Sequence, residues 1–152
     1  AEITPSAPAL AALATAGERL GHGVGLTGLD SLAWGAIAGR PALVLPDGPT
    51  ALMIARLALI EPLLAALAGA ADDRPSEVRP LARKLVSQVG VAEIALLAGA
   101  PGVWRPLACG DLPWSALAAA DAFVELAPES EGLAESTPLA ARLLAPSSRS
   151  IR

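Results

Sequence analysis

Between Leu43 and Thr50 the chain reads Leu-Val-Leu-Pro-Asp-Gly-Pro-Thr, an apolar strand that breaks into a Pro-Asp-Gly-Pro turn and reopens as a long helix. A strand ending in a tight turn at a helix N-terminus presents unpaired backbone N–H groups and the positive end of the helix dipole. That arrangement suits a phosphate, an oxyanion or a carboxylate. The rest of the chain is scaffold rich in alanine and leucine, so a function read from the residues must be anchored near this loop.

The scaffold is well supplied with core. Of 152 residues, 53% are hydrophobic and only 17% charged, which excludes disorder and predicts a substantial interior. Aromatics make up 3% with no tyrosine, so the core must be Ala, Leu and Val, and it offers no platform on which bases could stack. With a net charge of −4, nucleic-acid binding is not expected. Mean hydropathy of +0.52 raises the question of a membrane span. The longest apolar run, Ala51 to Ala71, is interrupted by Arg56, Glu61 and Pro62, so it reads as a helix outside the membrane. No signal peptide is evident, and the missing initiator Met suggests a fragment or a processed product. A single cysteine, Cys109, permits no internal disulfide and points to a reducing compartment.

Along the chain, Ala1–Pro8 reads as a lead-in and Ala9–Ala16 as a helix stopped by Gly17. His22–Leu26 is expected to be a short strand, and Thr27–Ser31 a turn. Ala33–Ala38 and Ala42–Leu45 pair as a hairpin through Gly39-Arg40. Thr50 is the expected N-cap of a helix reaching Ala68, with Pro62 kinking or dividing it. Gly69–Pro75 is the expected domain boundary. Beyond it, Val78–Gln88, Ala92–Ala98, Val103–Ala108, Ala122–Ala127 and Pro138–Leu144 read as strands, with a short helix at Pro113–Ala120 and a tail at Ser147–Arg152.

Three stretches in this order resemble the C-terminal half of the molybdopterin molybdotransferase family, the MoeA and gephyrin E-domain group. The first is Gly28-Leu-Asp-Ser-Leu-Ala-Trp-Gly35 followed by Gly39-Arg-Pro-Ala-Leu-Val-Leu-Pro46. The second is Arg79-Pro-Leu-Ala-Arg-Lys84 with Gly90-Val-Ala-Glu-Ile94. The third runs from Leu117 to Glu129, with Glu131-Gly132 after it. The resemblance implies an α/β fold followed by a mostly β part: the end of a three-layer α/β molybdopterin-binding domain over residues 1–71, then a small β-clip-like barrel over 75–146. It also implies a cytoplasmic transferase of molybdenum cofactor biosynthesis. Such an enzyme inserts molybdate into adenylylated molybdopterin, releases AMP, uses Mg2+ and works as a homodimer, with a molybdoenzyme as a possible recipient.

On these positions the resemblance assigns cofactor binding to Gly28, Asp30, Ser31, Pro46, Asp47, Gly48, Pro49 and Thr50, with Asp47 as candidate metal ligand. The departures are equally informative. The family's Pro-Gly-Asn-Pro-x-Ser loop stands here as Pro46-Asp47-Gly48-Pro49-Thr50-Ala51, placing a carboxylate where a phosphate would approach. Leu26, Leu29 and Asp30 supply no basic side chain to the preceding turn, and the family's acidic motif from the first half of the α/β domain is absent. The chain alone is therefore not expected to catalyse the whole reaction. The alternatives are a non-catalytic paralogue that binds molybdopterin or a partner enzyme, and a dimerisation module.

Blander readings stand beside these. Asp47 reads more simply as a surface-turn aspartate than as a metal-bridging ligand, and an Asx-type turn explains Asp30-Ser31 at least as well as a substrate contact. His22, without a second imidazole or thiol nearby, reads as a solvent-facing strand end. Cys109 reads as a packed residue and not a nucleophile. Arg79, Arg83 and Lys84 read as a solvated strand edge with Arg79 and Arg83 on one face. Glu125, Glu129, Glu131 and Glu135 read as an acidic rim, and Trp104 and Trp114 as core or interface.

Overall fold

A computed structural model describes residues 7–71 and 74–144. The expected tail at Ser147–Arg152, residues 1–6 of the lead-in and Asp72-Asp73 of the expected boundary lie outside the described residues.

Helix α1 spans Ala7–Ala16 and ends where Gly17 N–H donates to Leu13 O at 3.0 Å. Strands β1 (Glu18–His22), β2 (Ala33–Ile37) and β3 (Arg40–Val44) form an antiparallel sheet in that order. The expected strand at His22–Leu26 is corrected here, since β1 lies earlier and ends at His22. From Gly23 to Leu32 the backbone bonds instead to itself and to Ala92, which bends the chain out of the sheet. The β2–β3 hairpin is as expected, closed by Ala38 (φ 50°) and Gly39 (φ 73°). Two positive φ values in a two-residue loop match the strand twist, and only glycine reaches them without a steric penalty.

A continuous helical stretch follows as α2 (Pro49–Ala55), a π-helical turn (Arg56–Ile60) and α3 (Glu61–Leu67). Pro62 divides the helix as expected, and the π turn is how. Glu61 N–H reaches back five residues to Arg56 O. Pro62 has no N–H, so in this register Leu57 O is the carbonyl left without a backbone donor. Arg74 Nη1 supplies one at 3.0 Å. Pro49–Leu67 is long and apolar enough to cross a membrane by length and composition. Here, however, Ala51, Ile54, Ala55 and Leu57 are packed into the protein core, and Arg56 and Glu61 form an ion pair on the same helix.

The second half supplies β4 (Ser76–Pro80), β5 (Leu85–Val86), β6 (Glu93–Ala100), β7 (Val103–Cys109), α4 (Trp114–Ala119), β8 (Ala122–Leu126), β9 (Gly132–Leu133) and β10 (Pro138–Leu143). Five of these strands form an antiparallel sheet in the order β4-β10-β8-β6-β7. The sheet curls until its edges meet: Leu81 bridges Trp104, and Ala82 N–H donates to Trp104 O at 2.8 Å. The expected single strand Val78–Gln88 is corrected to two, because after Pro80 the chain leaves the sheet and β5 pairs with β9. Arg79 and Arg83 accordingly do not share a strand face. Arg79 stacks 4.5 Å over Trp104 and pairs with Glu77, while Arg83 donates to Pro106 O.

Strand β6 is buried on both faces, which explains its continuous apolar run. Ile94 and Leu96 face a core shared with Leu26, Leu29, Leu32, Ile54, Leu57, Leu112 and Phe123. Ala95 and Leu97 face a second core inside the curled sheet with Leu81, Leu85, Trp104, Leu126 and Leu139. The first core thus contains residues from both sides of the 72–73 stretch. Among the described residues the architecture is mixed α/β with a mostly β half curled into a half-barrel.

Candidate functional site

The antiparallel register of β2 and β3 places Ala33 opposite Val44. The chain therefore enters β2 and leaves β3 at one end of the hairpin, which brings the Gly28–Ser31 turn and the Pro46–Thr50 loop to the same end. Both are fastened through the apolar residues between them. Leu29 and Leu32 pack with Ala51 and Ile54 of α2 in one core. Gly28 has φ +85°, which favours glycine, and an added Cβ would fall 2.9 Å from Ile54 Cδ1, a side-chain end that can give way, so the turn lies close against α2. The turn also locks onto β6: Thr27 N–H donates to Ala92 O, and Ala92 N–H donates to Gly25 O, each at 2.9 Å.

Pro46 is buried, whereas Asp47, Gly48 and Pro49 are exposed at the loop tip. Thr50 is not the N-cap. The helix begins one residue earlier with Pro49, Gly48 occupies the cap position, and no side chain caps the helix end. Thr50 Oγ1 instead donates to Leu112 O at 3.3 Å, tying the first turn of α2 to the segment before α4. With Leu52 N–H bonded to Gly48 O, the first-turn donors left over are the Thr50 and Ala51 amides. Asp30 is exposed and Ser31 is buried at 8% exposure. Among the described residues neither Asp30 nor Asp47 enters an ion pair. No group of three His, Cys, Asp or Glu side chains that could hold a metal occurs among them either. Asp47 therefore does not fit, by itself, as a site for a divalent cation.

Sequence reasoning missed a polar cluster behind the turn. Glu93, 7% exposed, accepts three hydrogen bonds on one oxygen: from Ser87 Oγ at 2.9 Å, Gln88 N–H at 2.8 Å and Cys109 Sγ at 3.4 Å. Burial, reinforced by the charge and the hydrogen bond of Glu93, pushes the Cys109 thiol up to about 12, which keeps it protonated and unreactive. The signal was present in the sequence, as a lone carboxylate within the apolar run Val91–Ala100. His22 is exposed, as are Glu125, Glu129, Glu131 and Glu135. Trp104 is core, and Trp114 is 65% exposed.

A hairpin and divided helix laid against a curled antiparallel sheet define the class: a mixed α/β fold with a mostly β half-barrel. Solved structures with this arrangement carry molybdenum-cofactor names. Over 90% of its length the chain matches a molybdopterin biosynthesis MoeA protein from Pyrococcus horikoshii, with TM-score 0.73 and 24% identity. It matches a molybdenum cofactor biosynthesis protein from Pyrococcus furiosus over 84%, with TM-score 0.73 and 21% identity. A further structure of MoeA from Pyrococcus horikoshii OT3 matches over 83%, with TM-score 0.66 and 22% identity. No protein-family profile matches the chain, and no curated protein does. The chain spans 34%, 46% and 32% of those three solved chains, about a third to a half of their length. The resemblance read from the sequence therefore holds at the level of the fold, which is that of MoeA proteins.

Proposed function

We propose that this chain is part of a molybdenum cofactor biosynthesis protein and forms one wall of its molybdopterin pocket. On this reading residues 1–71 are the C-terminal portion of the pterin-binding α/β domain, and 75–146 form the β module. The observation that carries it is the shared fold over 84–90% of the chain, with both candidate segments at one hairpin end. The Thr50 and Ala51 amides would donate to a phosphate oxygen of adenylylated molybdopterin at the positive end of the helix. Gly28 keeps the turn close against α2, while Asp30 and Ser31 border the approach. Molybdate, AMP release and any Mg2+ would belong to the assembled protein, since among the described residues no group of three His, Cys, Asp or Glu side chains could hold a cation.

A second reading is favoured by Asp47, exposed and unpaired at the loop tip: a paralogue that binds the pterin without chemistry. The homodimer and a molybdoenzyme recipient are part of the first reading, in which the exposed Leu52, Leu64 and Leu67 of the divided helix would be available to a second copy. The test is molybdate insertion by the intact parent protein with adenylylated molybdopterin, beside Asp47→Ala. AMP release together with molybdate uptake supports the enzyme. Tight pterin binding without AMP release overturns it in favour of the second reading.

A further inference from the structure

The bend between β4 and β5 runs along the free edge of β7 and then parts from it. Ala82 N–H bonds Trp104 O, and Arg83 Nη2 donates to Pro106 O at 2.6 Å. Beyond that point a cavity of about 180 Å3 opens between the two segments, lined by Arg83, Lys84, Val86, Pro106 and Cys109 among others. It is smaller than the roughly 300–1,000 Å3 of pockets that enclose a drug-sized ligand, so it suits one small group.

Its rim carries two adjacent cations. Among the described residues Arg56, Arg74 and Arg79 are each paired with a glutamate. Arg83 and Lys84 have no carboxylate partner among the described residues, and neither do Arg40 and Arg105, but of these only Arg83 and Lys84 are adjacent in sequence and line the cavity. Arg83 spends one donor on Pro106, a wall of the cavity, which fixes the guanidinium at the margin with its other donors unspent. On the inner wall Cys109 presents a neutral thiol, while the Glu93 carboxylate behind it, whose charge is felt at that thiol, opposes an anion that enters deeply and so favours the Arg83–Lys84 rim. A guanidinium held by Pro106 O and an adjacent exposed lysine beside a small recess match a compact, multiply charged anion.

We propose that this cavity binds a tetrahedral oxyanion, either free or as the terminal phosphate of an organic ester. The site is formed by other strands than the Pro46–Thr50 loop and stands independently of the pterin reading.

The test is amide chemical-shift titration of the 152-residue chain with inorganic phosphate, molybdate and glycerol 3-phosphate. The expected result is saturable shifts at Arg83–Val86 and Leu107–Cys109, weakened about tenfold in Lys84→Gln, which removes one charge-assisted contact. Saturation by the ester alone assigns the site to an organic phosphate, and saturation by the inorganic ions assigns it to a free oxyanion. Arg83→Gln loses its bond to Pro106 and could loosen the bend. The exposed Lys84→Glu is therefore the second variant, and it abolishes the shifts while leaving the melting temperature unchanged. Non-saturating shifts, shifts that persist in Lys84→Glu, or shifts confined to Pro46–Thr50 overturn the proposal. The last outcome would leave the pterin reading intact.

Discussion

Arg74 is the residue whose removal tests the packing argument most directly. Its guanidinium donates to Leu57 O at 3.0 Å, pairs with Glu61 Oε2 at 3.2 Å and lies 5.1 Å from the Phe123 ring centroid. The first contact is a charged hydrogen bond to a carbonyl that Pro62 leaves without a backbone donor, worth about 1.5–3 kcal/mol. The ion pair, with side-chain exposures of 15% and 30%, adds roughly 0.2–1 kcal/mol. The ring contact adds about 0.5–1 kcal/mol. One nitrogen serves two of these contacts, so the sum is not additive, and Arg74→Ala should cost about 2–4 kcal/mol. In a protein of this size that lowers the melting temperature by roughly 5–15 °C. Urea denaturation of Arg74→Ala, Pro62→Ala and the double variant checks the cause. Restoring an N–H at position 62 gives Leu57 O a local donor, so Arg74→Ala should cost about 1 kcal/mol less in the Pro62→Ala background. An Arg74→Ala cost below about 1 kcal/mol, or one unaffected by Pro62→Ala, refutes the account of the π turn.

Two further expectations concern the polar cluster. All three donors to Glu93 converge on one oxygen, so Glu93→Gln can keep them on its amide oxygen and should cost about 1 kcal/mol. Glu93→Ala strands a hydroxyl, an amide and a thiol, and should cost about 3 kcal/mol or more in thermal or urea unfolding; equal costs would contradict the hydrogen-bond pattern. The Cys109 thiol rises from an ordinary 9.0 to about 12 in the fold, so at pH 8 its alkylation should be about a thousandfold slower than in the urea-unfolded chain. Because the folded value is the higher one, its contribution to stability is complete below pH 9 and is lost as pH rises towards 12. Alkylation at the unfolded rate, or stability that climbs over that range, would contradict the burial of this thiol.

How much of this was legible in the sequence depended on whether the signal was local. The β2–β3 hairpin, the division of the helix at Pro62 and most strands of the second half carry their own turn residues and periodicity, and they appear where expected. The failures share a cause. Val78–Gln88 has the composition of one strand, but Pro80 and the curling of the sheet send its second half to pair with β9, a partner nearly fifty residues away. His22–Leu26 looks extended, yet Ala92 captures its backbone from across the fold. Thr50 has the right chemistry for a cap and is claimed by Leu112 instead. In each case a long-range partner takes the place of a local preference, with only Pro80 and Pro49, a residue favoured at the first helical position, marking two of the breaks locally.

The same distinction decides how the candidate site should be judged. A helix N-terminus contributes about 0.3–1 kcal/mol towards an anion at an exposed position. One unit charge about 4 Å from another in water costs about 1 kcal/mol, so a carboxylate at the loop tip cancels the dipole for any anion that reaches it. Asp47 occupies that tip and Asp30 lies at the same end of the hairpin, both exposed and without a basic partner among the described residues. Taken alone, then, this wall is electrostatically near neutral towards a phosphate. It becomes attractive only when something outside these residues brings positive charge, either a cation shared with another domain or basic side chains from one. This is what gives Asp47→Ala its discriminating power. If Asp47 shares a cation in the assembled enzyme, the variant loses AMP release. If it merely faces the phosphate, the variant binds adenylylated molybdopterin more tightly, and the advantage fades as salt rises above about 0.15 M, where the Debye length falls below about 8 Å.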